Sequence, residues 1–428
     1  MSVLALVDCN NFYASCEKLF DPTLKDKPVV VLSNNDGCVV ARSAEVKALG
    51  IPMGVPWFKI QQEAKRYGIV AFSSNYALYA DMSNRVVEIL SSFSPSIEVY
   101  SIDESFLDLS GFERLGYQAY GQTIRQQIAD WLGLAVCVGI GPSKTLAKLA
   151  NHCAKKKLAG DQGVCDLTTM SVEEQTRLFA GIEVGEVWGV GRKISEKLAA
   201  MGIHSVQQLR DADAETLRSR FSVVLERTVR ELRGVSCLDI EAVVPEKQQI
   251  MSSRSFGTLV YDLADLEEAV ASYVSRAAEK LRAQNALAGA IQVYIRTNIF
   301  KPEMPQYQRA MTVPLPEASA DSRVLVGWAI RALRRIYRPG YGYHKAGITL
   351  MEIVPRTNQQ FSLFVPAELE SSRNEQLMAT LDAINGRYGR GALRLAAEGV
   401  TKSWQMRRGN LSPRYTTEWT GVARVLAG

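Results

Sequence analysis

Histidine is scarce in this chain of 428 residues: His152, His204 and His344 are the full set. Seven cysteines make an odd number and contain no C-x-x-C pair, so neither a disulfide framework nor a Cys/His zinc site is expected. A reducing cytoplasm is the expected compartment, and any metal would have to be held by carboxylates. Long uncharged runs are missing too. Residues 131–143 carry no charge, yet they fall well short of the ~20 residues a membrane helix needs. The apolar stretch from Val3 to Val7 is cut by Asp8 and lacks a basic leader, so no secretory leader is expected. Low complexity is likewise absent. With 47% hydrophobic and 22% charged residues, 31 Gly and 15 Pro, the composition is globular. The length predicts ~3 or 4 domains.

The net charge of +5 is unevenly spread. Residues 245–428 hold 24 Lys and Arg against 16 Asp and Glu, whereas the preceding 244 residues are slightly acidic. A basic C-terminal half points toward a polyanionic partner. Patterning divides the chain similarly. VLALV at 3–7 reads as a buried central strand ending in Asp8, and VVVLS at 29–33 as a second strand before the turn cluster NNDG. IEVYSIDESFLDL at 97–109 predicts two short strands meeting at Asp103 and Glu104. A helix near 116–132, a strand at 134–139 and a helix from 143 complete a mixed α and β region. Residues 166–235 read as short helices. From 252 the order is β-α-β-β-α-β, the split ferredoxin-like arrangement, and residues 355–360 read as a linker.

Four residue groups carry chemistry. Asp8, at the end of an apolar strand, converges with Asp103 and Glu104 if that strand lies beside their hairpin. Such crowded carboxylates need a cation, and Mg²⁺ prefers one or two carboxylates plus phosphate oxygens. A solvated turn and a strand cap are the plain alternative. Lys144, Lys148 and Lys155 share one arc of the helix in GIGPSKTLAKLANHCAKKK, with Leu146, Leu149, Ala150 and Cys153 expected on a sheet-packing face. In VWGVGRKISEKL, Gly189 and Gly191 precede Arg192 and Lys193 at a helix start, a turn able to grip a nucleic-acid backbone without reading sequence. Arg331, Arg334, Arg335 and Arg338 form a stripe on one helix. Arg254, Arg296, Lys301 and Arg309 lie on or near the strands of the same unit, so a DNA-backbone surface is expected there.

Long segments of this chain resemble the Y-family DNA polymerases. They are DCNNFYASCE (8–17), SNNDGCVVARSAEVKALGIPMG (33–54), FSSNYALYADMS (72–83), YSIDES (100–105), GIGPSKTLAKLANHCAKK (139–156) and the WGVGRKISEKL turn. The resemblance implies an α+β right-hand fold, with a palm at 1–12 and 75–165 and small fingers at 13–74. It further implies a helical thumb at 166–235, a little finger at 245–355 and a tail at 356–428. The implied reaction is error-prone translesion synthesis in an SOS response to DNA damage, by two-metal nucleotidyl transfer with two Mg²⁺ ions. Asp8, Asp103 and Glu104 would hold the metals together with the Cys9 carbonyl. Tyr13, after Phe12, would act as a steric gate against a 2′-hydroxyl. Lys155 would reach the triphosphate. Many members carry Tyr and Arg where Ala44 and Lys47 stand here, so Lys47 or Arg42 is expected to take over that phosphate contact.

QFSLF at 360–364 fits a short sliding-clamp docking pattern, with Leu363 and Phe364 filling an apolar pocket and Gln360 fixing orientation. The resemblance adds a UmuD-type dimer and a RecA filament as partners, beside primer-template DNA and deoxynucleoside triphosphates. It places the protein in the cytoplasm, at the nucleoid. Fingers rich in small residues are expected to close loosely and to tolerate damaged templates. Two other readings use the same residues: a carboxylate-metal DNA nuclease, and a non-catalytic DNA-binding scaffold recruited by the clamp.

Overall fold

The computed structural model describes residues 2–241, 245–358, 372–400, 402 and 404–421. It contains two compact units. One comprises residues 1–33, 38–244 and 410–428, the other residues 34–37 and 245–409.

The first unit is built around a five-stranded sheet. Strand β1 (Leu4–Cys9) is buried at every position, because its apolar side chains meet helices on both faces. The remaining strands of the unit are β2 (Val29–Leu32), β3 (Val39–Arg42), β4 (Val70–Ser73), β5 (Ile97–Val99), β6 (Glu104–Asp108), β7 (Val136–Gly141) and β8 (Val164–Asp166). The order in the large sheet is β5-β6-β1-β7-β8, and β1 runs antiparallel to both neighbours. A small sheet of order β3-β2-β4 has its own core of Val30, Leu32, Val39, Val46, Ile51 and Ile60. The strand expected at 134–139 begins at Val136 instead, since Gly133 ends the preceding helix in a left-handed conformation.

The helix Lys144–Lys156 crosses the large sheet with its Ser143 hydroxyl accepting from the Leu146 amide. Its approach is close enough that a Cβ on Gly139 would stand 2.0 Å from the Asn151 nitrogen. Ala147 therefore meets the sheet, beside Leu4, Leu6 and Phe106. Leu146, Leu149, Ala150 and Cys153 pack mainly with the helical region instead, joining Phe179, Val190, Leu198 and Val229. That region holds five short helices between Val172 and Leu232, two of them opened by capping boxes at Ser171 and Ser205. Buried Glu231 fastens it to the crossing helix by accepting from the Thr145 amide at 2.9 Å and its hydroxyl at 2.6 Å.

The second unit is a four-stranded antiparallel sheet of β9 (Ile250–Val260), β10 (Ala286–Arg296), β11 (Gln308–Ser319) and β12 (Tyr343–Pro355), ordered β11-β10-β12-β9. Helices Leu263–Ala283 and Ser322–Ile336 cover one face, giving the expected β-α-β-β-α-β order. Both helices bury apolar side chains against the sheet, and Trp328 is partly exposed at the edge of that core. A further helix, Ser372–Tyr388, lies in the tail, whose composition carries too weak an apolar period to foretell it. The tail is divided between the units. Trp404 is buried with Phe256 and Tyr273 in the second, whereas residues from Asn410 belong to the first. The clamp-motif residues Gln360, Leu363 and Phe364 lie outside the described residues.

Candidate active site

Antiparallel pairing of β1 with β6 sets Asp8 opposite Glu104. The β5–β6 hairpin is closed by Ser101, whose hydroxyl accepts from the Glu104 amide at 3.1 Å and donates to Asp103 at 2.7 Å. The Cys9 amide donates to the Asp103 carbonyl at 2.9 Å, so the turn sits at the end of β1. Sequence distance between Asp8 and this turn is thus erased by one strand pairing.

The carboxylates are not left to repel one another. Lys155 Nζ lies 2.5 Å from Asp8, and Lys148 Nζ lies 2.8 Å from Glu104. Burial nonetheless pushes the Asp8 carboxyl up to about 7 against the pull of Lys155, and the neighbouring Glu104 adds to the rise. Asp103 is instead drawn onto Ser101. Among the described residues, no group of three His, Cys, Asp or Glu side chains is placed to enclose a metal ion. Lys155 and Lys148 supply the compensating positive charge. An all-oxygen set under residual charge strain is nevertheless the donor chemistry that suits a hard divalent ion. Cys9 has only backbone to offer such an ion, because burial drives its thiol pKa up and keeps it neutral.

The three lysines of the helix face divergent tasks. Lys144 is buried and paired to Glu98 at 2.5 Å, so of the shared arc only Lys148 and Lys155 reach Glu104 and Asp8. Lys148 is enclosed by aromatic rings, 4.2 Å from the Tyr100 centroid and 5.2 Å from that of Trp188. Lys155 remains partly open. Lys47 is exposed within the field of Arg42, Lys155 and Asp8, and partial desolvation contributes most to lowering its pKa. The Arg42 guanidinium is held by the Ile51 carbonyl.

A left-handed Asn11 turns the chain from β1 into the helix Phe12–Leu19. Phe12, 3% exposed, is a core side chain among Val3, Val7 and Leu107, and cannot serve as part of a gate. Tyr13 is half-exposed, stacked 4.3 Å from Tyr79, and feels the charge of Asp103. The Tyr79 phenol in turn donates to buried Glu17 at 2.6 Å. Sequence reading missed Glu17, Tyr79 and Trp188. No spacing along the chain links Tyr79 or Trp188 to Glu104, Lys148 or Tyr13, nor Glu17 to Tyr79; they are joined only by folding.

In the turn before the helix Arg192–Ala199, exposed Gly189 adopts a positive φ of 86° and exposed Gly191 caps the helix, while Val190 between them is buried. Arg192 and Lys193 are exposed beside it. In the second unit, Arg331, Arg334 and Arg335 are exposed on the outer side of their helix. Arg334 is paired to Glu267 at 2.6 Å, and Arg331 lies over Trp328. Arg254 is exposed on edge strand β9. The sheet face away from the helices carries Arg296 and Lys345 as cross-strand partners, next to Tyr294 and Gly347. The stripe and this pair therefore occupy opposite faces.

Residues 7–152 match the impB/mucB/samB family, residues 247–363 its C-terminal domain, and residues 375–425 a domain of unknown function, DUF4113. Protein UmuC of Salmonella typhimurium is 46% identical over 424 residues, covering 99% of this chain and all of that one. DNA polymerase IV of Pelotomaculum thermopropionicum is 26% identical over 419 residues, 94% of this chain and 97% of that protein. Among solved structures, a Y-family DNA polymerase chimera, Dbh-Dpo4-Dbh, superposes with a TM-score of 0.63 at 22% identity, over 82% of this chain and 99% of the chimera. The α+β right-hand fold is thereby established.

Proposed function

We infer, for a chain that belongs to the impB/mucB/samB family, that Asp8, Asp103 and Glu104 are the reaction centre of its template-directed DNA synthesis. The protein is a Y-family translesion DNA polymerase. The observation that carries the assignment is the pairing of Asp8 with Glu104 on adjacent strands, beside the Asp103 turn and within reach of Tyr13 and Lys155.

Two divalent cations, Mg²⁺ by choice of donors, would be held by the three carboxylates and the Cys9 carbonyl; when bound they lower the pKa of the primer 3′-hydroxyl and neutralise the leaving pyrophosphate. The chain's own groups do the rest. Lys155, released from Asp8, turns its ammonium to the triphosphate, and Lys47, already poised in the same field, does likewise. Arg42, tied to the Ile51 carbonyl, shapes the small sheet behind them. Tyr13 lies flat on Tyr79 and leaves no room for a ribose 2′-hydroxyl. Lys148 holds Glu104 in place and is itself fixed by Tyr100 and Trp188.

DNA is gripped at its phosphates. The Gly189–Gly191 turn offers amides with Arg192 and Lys193 beside them, and the second unit adds Arg254, Arg331, Arg334 and Arg335 together with Arg296 and Lys345. Residues 13–74 act as fingers, 166–235 as thumb and 245–355 as little finger. Gln360, Leu363 and Phe364 dock on the sliding clamp. A UmuD-type dimer and a RecA filament are the regulatory partners, which places the working enzyme at the nucleoid.

Extension of a labelled primer by the purified protein with Mg²⁺ and deoxynucleotides, wild type beside Asp103→Ala, tests the assignment. Template-dependent extension that Asp103→Ala abolishes sustains it. Primer shortening in place of extension would favour a nuclease, and equal behaviour of both proteins a scaffold.

A further inference from the structure

A stretch of the C-terminal tail lies against the back of the nucleotide gate. Leu411 bridges to Ser73 at the end of β4, and the Ser73 amide donates to the Asn410 carbonyl at 2.9 Å. Asn75 reaches the same stretch through its amide nitrogen, which donates to the Ser412 hydroxyl at 2.9 Å, the Pro413 carbonyl at 3.2 Å and the Ser412 carbonyl at 3.3 Å. Tyr415 stacks on Phe20 with centroids 4.9 Å apart and planes 9° from parallel. Ser412 and Asn75 are both buried, at 5% and 3% exposure. These are the contacts of a seated segment, not of a trailing end.

What the segment sits on is the platform of Tyr13. Asn75 caps the helix Tyr76–Leu90 by accepting from the Leu78 amide, and the next residue of that helix, Tyr79, is the ring on which Tyr13 stacks. Tyr79 is held by Glu17, one turn beyond Tyr13 on its own helix. Glu17 is 1% exposed, and its second carboxylate oxygen has no close hydrogen bond; the Ser412 hydroxyl is near enough to offset part of its burial. Tyr13, Tyr79, Glu17, Asn75 and Ser412 thus form one contiguous assembly. Its outer wall comes from the opposite end of the chain, in a region whose family match is to a domain of unknown function.

We propose that residues 411–415 are a positioning strap for the sugar gate: by clamping Asn75 and closing over Glu17, they fix the plane of Tyr79 and hence of Tyr13, so selection of deoxyribose over ribose depends on the tail. The inference rests on Tyr13 being the gate. Ser412 and Asn75 are positioning residues, buried against each other. They act through Tyr79, by denying Tyr13 the freedom to tilt away from a 2′-hydroxyl.

Asn75→Asp is the discriminating variant. It keeps the oxygen that caps the helix and turns the three-way donor into an acceptor facing two carbonyls. The measurement is kcat/KM for a deoxynucleotide and its ribonucleotide counterpart in single insertions on primed DNA, with Tyr13→Ala in parallel. The expected result is a fall of about fivefold in the deoxy-to-ribo ratio, the size of one or two lost hydrogen bonds. It comes from faster ribonucleotide insertion, while deoxynucleotide insertion stays within about twofold. A merely structural role would slow both substrates together and leave the ratio unchanged, which overturns the proposal. Ser412→Val reads the same ratio from the tail side if Asn75→Asp does not fold, and Ser412→Thr, keeping the hydroxyl, should restore it. If Tyr13→Ala admits ribonucleotides and the strap variants do not, the strap is refuted and the gate stands. If Tyr13→Ala leaves the ratio untouched, the gate assignment has failed and the strap falls with it.

Discussion

Lys155 Nζ and Asp8 Oδ2 stand 2.5 Å apart, joining a buried carboxylate at the end of the central strand to a lysine on the helix that crosses it. The pair explains how Asp8 is kept in a site whose burial would otherwise favour its protonation. It also predicts two losses from one substitution. Lys155→Met removes the ammonium from the triphosphate and leaves Asp8 without its compensating charge. Single-nucleotide insertion should fall in kcat/KM by about 10- to 100-fold, the worth of a charge-assisted hydrogen bond, mostly as a raised KM. Lys155→Arg should recover part of it. An unchanged KM in Lys155→Met would remove this lysine from the phosphate site.

Asp103 differs from its neighbours in having no lysine, only Ser101, against its carboxylate. Asp103→Ala therefore costs little in folding. Insertion should drop by about 10³-fold or more, equivalent to about 4 kcal/mol of lost transition-state stabilisation. Binding to primed DNA in a filter or anisotropy assay should stay within about twofold, since surface phosphate contacts set that affinity. Retained insertion would show that the reaction centre lies elsewhere.

Much of this architecture was legible. An apolar run ending in Asp8 and a hairpin carrying Asp103 and Glu104 foretell a strand pairing, because only burial on both faces tolerates such a run. The second unit was readable from helical and strand periods. Periodicity fixes an angle, however, and not a neighbour. Lys144 shares the arc of Lys148 and Lys155 yet ends in a buried pair with Glu98, a residue no spacing connects to it. Phe12 and Tyr13 are adjacent aromatics about 100° apart on a helix, so which one enters the core depends on what packs there. Glu17, Tyr79 and Ser412 come from three distant segments, and their link exists only in the folded chain.

The arginine stripe yields a graded expectation. Arg335 is exposed with no acidic partner among the described residues, whereas Arg334 already shares its charge with Glu267. If the outer side of this helix meets DNA phosphates, Arg335→Ala should reduce the slope of log affinity against log salt by about one. Arg334→Ala should change it by less, because its counterion release is partly forestalled. Arg296→Ala with Lys345→Ala tests the opposite face of the same unit. Whichever pair leaves the slope unaltered does not touch the backbone.

Glu17 gives a pH dependence independent of any metal. Burial raises its pKa above the ordinary carboxylate range, while the Tyr79 phenol and Ser412 hydroxyl pull it down without cancelling the rise. The other ionisable groups around it are Cys16, whose thiol burial keeps neutral, and Tyr415, which feels Glu17 and Asp21. A carboxyl with a raised folded-state pKa holds its proton more tightly folded than unfolded. The stability it contributes is complete below the ordinary value of 4.5 and is lost as pH climbs through the raised one. Glu17→Gln keeps an oxygen for the Tyr79 phenol, sets an amide toward Ser412 and abolishes the titration. The variant should melt about 2–4 °C above wild type at pH 8. That gap should narrow as pH falls toward 4.5 and close below it, where Glu17 is protonated in both folded and unfolded wild type. Melting curves recorded in EDTA at the two pH values decide it. A gap of equal size at both would mean that the carboxylate is not strained by burial, and the Tyr79 hydrogen bond would then have to be what Glu17 is kept for.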